Sequence, residues 1–157
     1  MMRIVKLIIS VIIAELAGII GSVFTAPNIP TWYATINKPF FNPPSWIFAP
    51  VWTTLFVLMG ISLFLIWDKG FKKKENKQAV YVFGAQLVLN VIWSLLFFGL
   101  QSPFYAFIEI IILWIAILVT IWKFYKIDKK AAWLLVPYIL WVTFAAFLNL
   151  NIWLLNF

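Results

Sequence analysis

The groups in this chain that could do chemistry are side-chain amides, indole rings and two isolated carboxyls. Gln86, Asn90 and Ser94 recur at i, i+4 and i+8, a spacing that puts them on one helix face, and Trp93 and Phe97 lie on the same side. Tyr138, Trp141, Ala145, Leu148 and Asn149 form a second broad stripe. Faces like these serve one of two ends in an apolar setting. They are interhelical hydrogen-bonding glue, worth about 1 kcal/mol per contact, or they wall a polar, aromatic cavity. Periodicity alone leaves both open. Glu15 and Glu109 each stand inside an apolar run. A carboxyl there is a site by default, or else a helix–helix hydrogen bond to Ser, Trp or Tyr. At about 1.5 Å of rise per residue, Glu15 lies about 12 Å from one end of its helix and Glu109 about 9 Å from the opposite end of its own, so the two are not expected to pair.

The absences narrow the chemistry further. There is no His and no Cys, hence no imidazole base, no thiolate and no zinc site built on them. With five acidic residues in all, a carboxylate metal cage is not expected. No metal and no resident cofactor is expected, and no catalytic residue is assigned. Conventional acid–base catalysis has little to work with.

The elements that must position these groups follow from hydrophobicity. Of the 157 residues, 65% are hydrophobic and 11% charged, against roughly 25% charged in soluble proteins. A soluble domain of this size could not bury so much apolar surface. A membrane helix needs about 20 apolar residues, and the charges and prolines bracket five such stretches. The expected fold is all-α: a single membrane domain over 1–157, a five-helix bundle with spans at about Ile4–Thr25, Ser45–Trp67, Gln78–Phe98, Pro103–Tyr125 and Lys130–Leu155. Pro137 should kink the last. Glu15 inside the first span, and the absence of a small-x-small site at Phe24-Thr25-Ala26, argue for a membrane helix there rather than a cleaved leader. The longest connection, about 26–44, holds Trp32, Tyr33, Phe40 and Phe41 among its prolines, and long loops are often functional.

Eleven of the twelve basic residues fall in three segments that five spans place on one side; Lys38 is the exception. The positive-inside rule then puts the N-terminus in the cytoplasm and the C-terminus outside, in what is expected to be the cytoplasmic membrane. The net charge of +7 is thus a topology signal, and nucleic acid is not an expected partner. Trp67, Trp122, Trp133, Trp46 and Trp153 suit interfacial belts. Trp52, Trp93, Trp114 and Trp141 lie deeper and need N–H partners when buried. Ala14, Gly18 and Ser22 make a small-xxx-small ladder, either internal packing or a dimer seam.

The motifs Trp32-Tyr33, Asn42-Pro43-Pro44-Ser45-Trp46, Pro50-Val51-Trp52-Thr53, Gln86-x-x-x-Asn90-x-x-Trp93-Ser94, Ala132-Trp133 through Tyr138, and Trp141 through Asn149 occur in an order that resembles the TspO/MBR family of tryptophan-rich sensory proteins and translocator proteins. The resemblance implies a five-helix membrane protein, often a homodimer, with a cavity capped by the first outer loop that takes porphyrins, haem or benzodiazepine-type ligands. Carried over residue by residue, the site comprises Trp32, Tyr33, Trp52, Asn90, Trp93, Trp141 and Ala145, with Gln86 and Glu109 as plausible polar members. The expected function is a tetrapyrrole-binding sensor or regulator. Transport of porphyrins or other lipophiles is an alternative, as is light-dependent, Trp-mediated porphyrin degradation. The sterol motif attributed to mammalian relatives needs a basic residue just after the last-helix tyrosine. None follows Tyr138, so specific sterol binding is not expected.

Overall fold

A computed structural model describes residues 2–157 and is helical throughout, with no strand among the described residues. Helix α1 is Met2–Thr25, α2 is Phe48–Asp68 with a 3-10 turn at Ser45–Ile47, and α3 is Lys74–Ser94, widening into a π-helical turn at Leu95–Gly99. Helix α4 is Pro103–Ile127, α5 is Lys129–Leu134 and α6 is Val136–Asn156. With the flanking turns counted and α5–α6 taken together, these make five segments long and apolar enough to cross a membrane. Around the bundle α1 packs between α2 and α3, α3 against α4, and α4 against α5 and α6, while α2 meets α5.

The outline matches the sequence reading in all five spans and departs from it at two points, the start of α3 and the region of Pro137. Helix α3 begins at Lys74, a turn before Gln78, because lysines at a membrane surface continue a helix without having to enter the hydrocarbon. The expected kink at Pro137 takes the form of a one-residue interruption at Leu135 within a single apolar span. The chain turns at Leu135, and α6 restarts at Val136 with Pro137 in its first turn, where its missing N–H costs nothing. Asp128 caps α5 by accepting from the backbone N–H groups of Lys130 (2.8 Å) and Ala131 (3.3 Å).

Along the small-residue ladder of α1, Ala14 is buried, Gly18 is half-buried and Ser22 is exposed. Ser10, Ala14, Ala17 and Gly21 are buried. A Cβ built on Gly60 of α2 would sit 2.5 Å from Val11 Cα, so the two backbones touch. Outward-facing residues of α1 such as Ile4, Ile8, Ile12, Ile19 and Val23 are exposed, an exterior that only lipid solvates well.

One end of the bundle gathers the basic segments. Arg3 pairs with Asp68 at 3.0 Å, and Lys69 with Asp128 at 3.5 Å, which brings the N-terminus, the α2–α3 connection and the α4–α5 junction together. Exposed pairs of this kind add little stability; they mark the common level. Trp122, with Lys126 lying 3.6 Å from its ring centroid, sits at the same end.

At the opposite end the connection over 26–44 forms a cap. Its first part is a π-helical turn, Ile29–Tyr33, opened by Pro30. Asn37 and Asn156 are joined at 2.9 Å twice, Asn156 Oδ1 accepting from the Asn37 N–H and its Nδ2 donating to the Asn37 carbonyl. Gln101, held in a left-handed conformation at φ 52°, donates from Nε2 to Asn28 Oδ1 at 3.3 Å. The cap is therefore fastened to the end of α6 and to the α3–α4 turn.

Candidate functional site

Beneath the cap, in the half of the bundle away from the basic end, four spans enclose a cavity of about 210 Å³. Helix α1 contributes Ala17, Gly18, Gly21, Ser22 and Thr25. Helix α2 contributes Phe48, Ala49, Trp52 and Phe56; α3 and its π turn contribute Asn90, Trp93, Ser94, Phe97 and Phe98. Helix α6 supplies Trp141, Phe144, Ala145, Leu148, Asn149 and Ile152, and the cap supplies Ala26, Ile29 and Tyr33. The lining is predominantly apolar and aromatic with a few polar groups, the usual make-up of a small-molecule site.

Each wall is held by identifiable bonds. Trp93 donates from Nε1 to Asn149 Oδ1 at 3.0 Å, and Asn149 Nδ2 donates to the Pro103 carbonyl at 2.8 Å. This stitches α3, α6 and α4 together along one side. The Trp93 ring stacks on Phe97, with centroids 5.1 Å apart. The floor is a directed chain. Asn90 Nδ2 donates to Tyr138 Oη at 2.9 Å, and the Tyr138 hydroxyl donates to Gln86 Oε1 at 2.7 Å. Gln86 in turn points its Nε2 at the Met59 sulfur, 3.8 Å away. The roof is Tyr33, 3% exposed, whose hydroxyl donates to Asn42 Oδ1 at 2.6 Å. Burial pushes its phenol up to about 12, so it remains an O–H donor at any physiological pH.

Of the residues expected at the site, Tyr33, Trp52, Asn90, Trp93, Trp141 and Ala145 line this cavity. Three do not. Trp32 lies on the same turn as Tyr33 but packs edge-on against Phe97 (5.6 Å) and Phe98 (6.4 Å) instead of lining the cavity, because adjacent residues on a helical turn point about 100° apart. Gln86 lies one turn below Asn90, spent on Tyr138 and Met59. Glu109 is buried on α4, the one long span that contributes nothing to the lining, and neither of its carboxyl oxygens has a hydrogen-bond partner. Glu15 Oε1 is likewise buried and unpartnered, so neither carboxyl makes the helix–helix bond that was its alternative role.

Sequence reasoning missed the whole contribution of α1. The signal was present in Gly18 and Ser22, but small residues imply close approach and vacant space equally well. The four deep indoles also divide. Trp93 and Trp114 donate to other helices, Trp114 to Thr143 Oγ1 at 2.8 Å. Trp141 Nε1 is buried with no partner. An unpartnered buried donor costs about 1–3 kcal/mol. Lys38, the one basic residue at this end, is already engaged: its Nζ donates to the carbonyls of Tyr33 (2.6 Å) and Ile36 (2.9 Å). Among the described residues no three His, Cys, Asp or Glu side chains gather as metal ligands would.

The chain is similar to known proteins along its length. The model of the TspO/MBR family matches residues 10–154. A tryptophan-rich protein TspO of Archaeoglobus fulgidus is 46% identical over 155 residues, 99% of each chain. The translocator protein of Bos taurus is 34% identical over 143 residues, covering 90% of this chain and 85% of that one. The tryptophan-rich sensory protein of Cereibacter sphaeroides is 34% identical over 125 residues, 80% and 77% of the two chains. With its apolar spans, its capped aromatic cavity and these matches, the chain is an integral membrane protein that belongs to the TspO/MBR family.

Proposed function

We propose that this protein is a tetrapyrrole-binding sensor or regulator that holds a porphyrin-like ring in the capped cavity. The observation that carries the reading is the wall itself: Trp52, Trp93, Phe97 and Trp141 surround one space beneath the cap. A flat apolar ring stacks on indole and phenyl faces. Its polar edge takes the amide of Asn90. With Lys38 committed to backbone carbonyls, the acid edge is met by neutral donors or by water at the cap rather than by a cation. Recognition then rests on shape and stacking, which suits a site that accepts several related lipophiles.

The test is a titration of purified protein with protoporphyrin, followed by tryptophan emission. Each lost aromatic contact is worth about 0.5–1.5 kcal/mol beyond its area, so the Trp52→Ala, Trp141→Ala double variant should bind at least about tenfold more weakly. An unchanged affinity would remove the cavity from the mechanism. Transport is the weaker reading, because Tyr138, Met59 and Gln86 fill the bundle below the cavity and are almost completely buried. No observation favours photodegradation over binding. The basic end is assigned to the cytoplasm by the positive-inside rule. A homodimer remains an implication of family membership.

A further inference from the structure

We propose that ligand reaches the cavity sideways, from the bilayer, through a slit between the cap-end halves of α1 and α2, while the cap stays fastened. The proposal rests on the reading of the cavity as a ligand site and adds its route of entry.

Five boundaries of the cavity are closed by contacts. The roof is fastened by the Asn37–Asn156 pair and by Gln101–Asn28. The floor is filled by Tyr138 and Met59. The α3–α6 seam is stitched by Trp93 and Asn149. The α1–α3 seam is tight, since a Cβ on Gly21 would lie 3.1 Å from Ser94 Oγ and one on Gly99 3.2 Å from a Phe24 ring carbon. On the α2–α6 side, aromatic rings meet edge to face, Phe48 with Trp141 at 6.5 Å.

The α1–α2 seam behaves differently along its length. Toward the basic end the backbones touch at Gly60 and Val11, and Gly18 lies against the Phe56 ring. Beyond Gly18 the partners become small. Ser22 and Ala26 on one side and Ala49 on the other are the three cavity residues that are also exposed at the molecular surface. Residues that face the cavity and the exterior together are the rim of an opening. Its chemistry is apolar: the Ser22 hydroxyl is turned back onto the Ile19 carbonyl at 2.6 Å, and that of Thr25 onto the Gly21 carbonyl at 3.2 Å. A rim with no free polar group on a lipid-facing surface admits a bilayer-dissolved, slender or flat apolar molecule and rejects ions.

The chain has no Cys, so a single Ala145→Cys places one thiol on the cavity wall. Its labelling by N-ethylmaleimide, which enters the bilayer, is followed in phosphatidylcholine vesicles. Adding Ser22→Phe and Ala49→Phe should slow labelling about tenfold by plugging the slit, and adding Asn156→Ala together with Gln101→Ala, which removes both ties of the cap, should leave it within about twofold. Labelling that the phenylalanine pair fails to slow overturns the proposal, as does marked acceleration by Asn156→Ala with Gln101→Ala. Should the paired variant not fold, Ala49→Leu alone, at an exposed position, should still slow labelling and decides the matter. No porphyrin enters this experiment, so its outcome is independent of whether protoporphyrin binds.

Discussion

Tyr138 is the residue on which the floor of the cavity depends. It is fully buried and its hydroxyl serves two amides, accepting from Asn90 and donating to Gln86. Tyr138→Phe keeps the ring and strands both amides in a dry interior, where each unsatisfied group costs about 1–3 kcal/mol. The expected result is a clear fall in the detergent unfolding midpoint. Protoporphyrin affinity should change less than in the Trp52→Ala, Trp141→Ala variant, because Tyr138 shapes the floor without lining the cavity. Equal loss of affinity in the two variants would contradict this division. The amide stripe on α3 was legible in the sequence as a face. Its two candidate roles turn out to occupy different heights. Gln86 and one end of Asn90 are glue, while the cavity begins at Asn90 and continues past Ser94. Periodicity cannot see that split, since it carries angle and no depth.

At the scale of the elements, the contrast between two glycines tests how the helices meet. A Cβ at Gly60 would collide with the backbone of α1 at Val11, which no side-chain rotation can relieve. Gly60→Ala should therefore destabilise the protein by about 1–3 kcal/mol. Gly84 on α3 has nothing within 4 Å of a built Cβ, so Gly84→Ala should be neutral or stabilising by up to about 1 kcal/mol through helix propensity. Thermal unfolding of the two variants side by side checks the ordering, and a reversed order would mean that α1 and α2 do not pack as described. The break at Leu135 belongs to this scale as well. Pro137 announced an interruption, but whether the helix bends or restarts depends on where the freed carbonyls find partners. Here the chain turns and the Leu135 N–H returns to the Ala132 carbonyl at 3.1 Å.

For the whole molecule, the charge distribution makes an orientation measurable. Phe157 is exposed at the cap end, and Lys72 is exposed in the basic α2–α3 connection. In a chain without native thiols, Phe157→Cys should react with a membrane-impermeant maleimide added outside intact cells, and Lys72→Cys should react only after lysis. The opposite pattern would reverse the assigned topology. The same view explains the exterior. A bundle whose outward faces carry Ile8, Ile12, Ile112, Ile115 and Leu118 has lipid as its solvent, so its stability rests on close packing and satisfied polar groups more than on hydrophobic burial.

By itself the sequence determined that five apolar helices cross a bilayer, which ends of them share a side, and that a family motif set runs from the cap to the last helix. These follow from composition, charge and order along the chain, all of which are one-dimensional. Only the tertiary structure decided which aromatic residues meet around one space. Trp32 and Tyr33 are neighbours in sequence, yet Tyr33 roofs the cavity and Trp32 packs against Phe97 and Phe98 instead of lining it. Gly18 and Ser22 belong to one ladder, yet Gly18 lies against Phe56 where α1 and α2 are close, and Ser22 stands on the rim where they part. A small side chain permits contact or vacancy, and the direction of the neighbouring helix, set by packing across the whole bundle, selects between them.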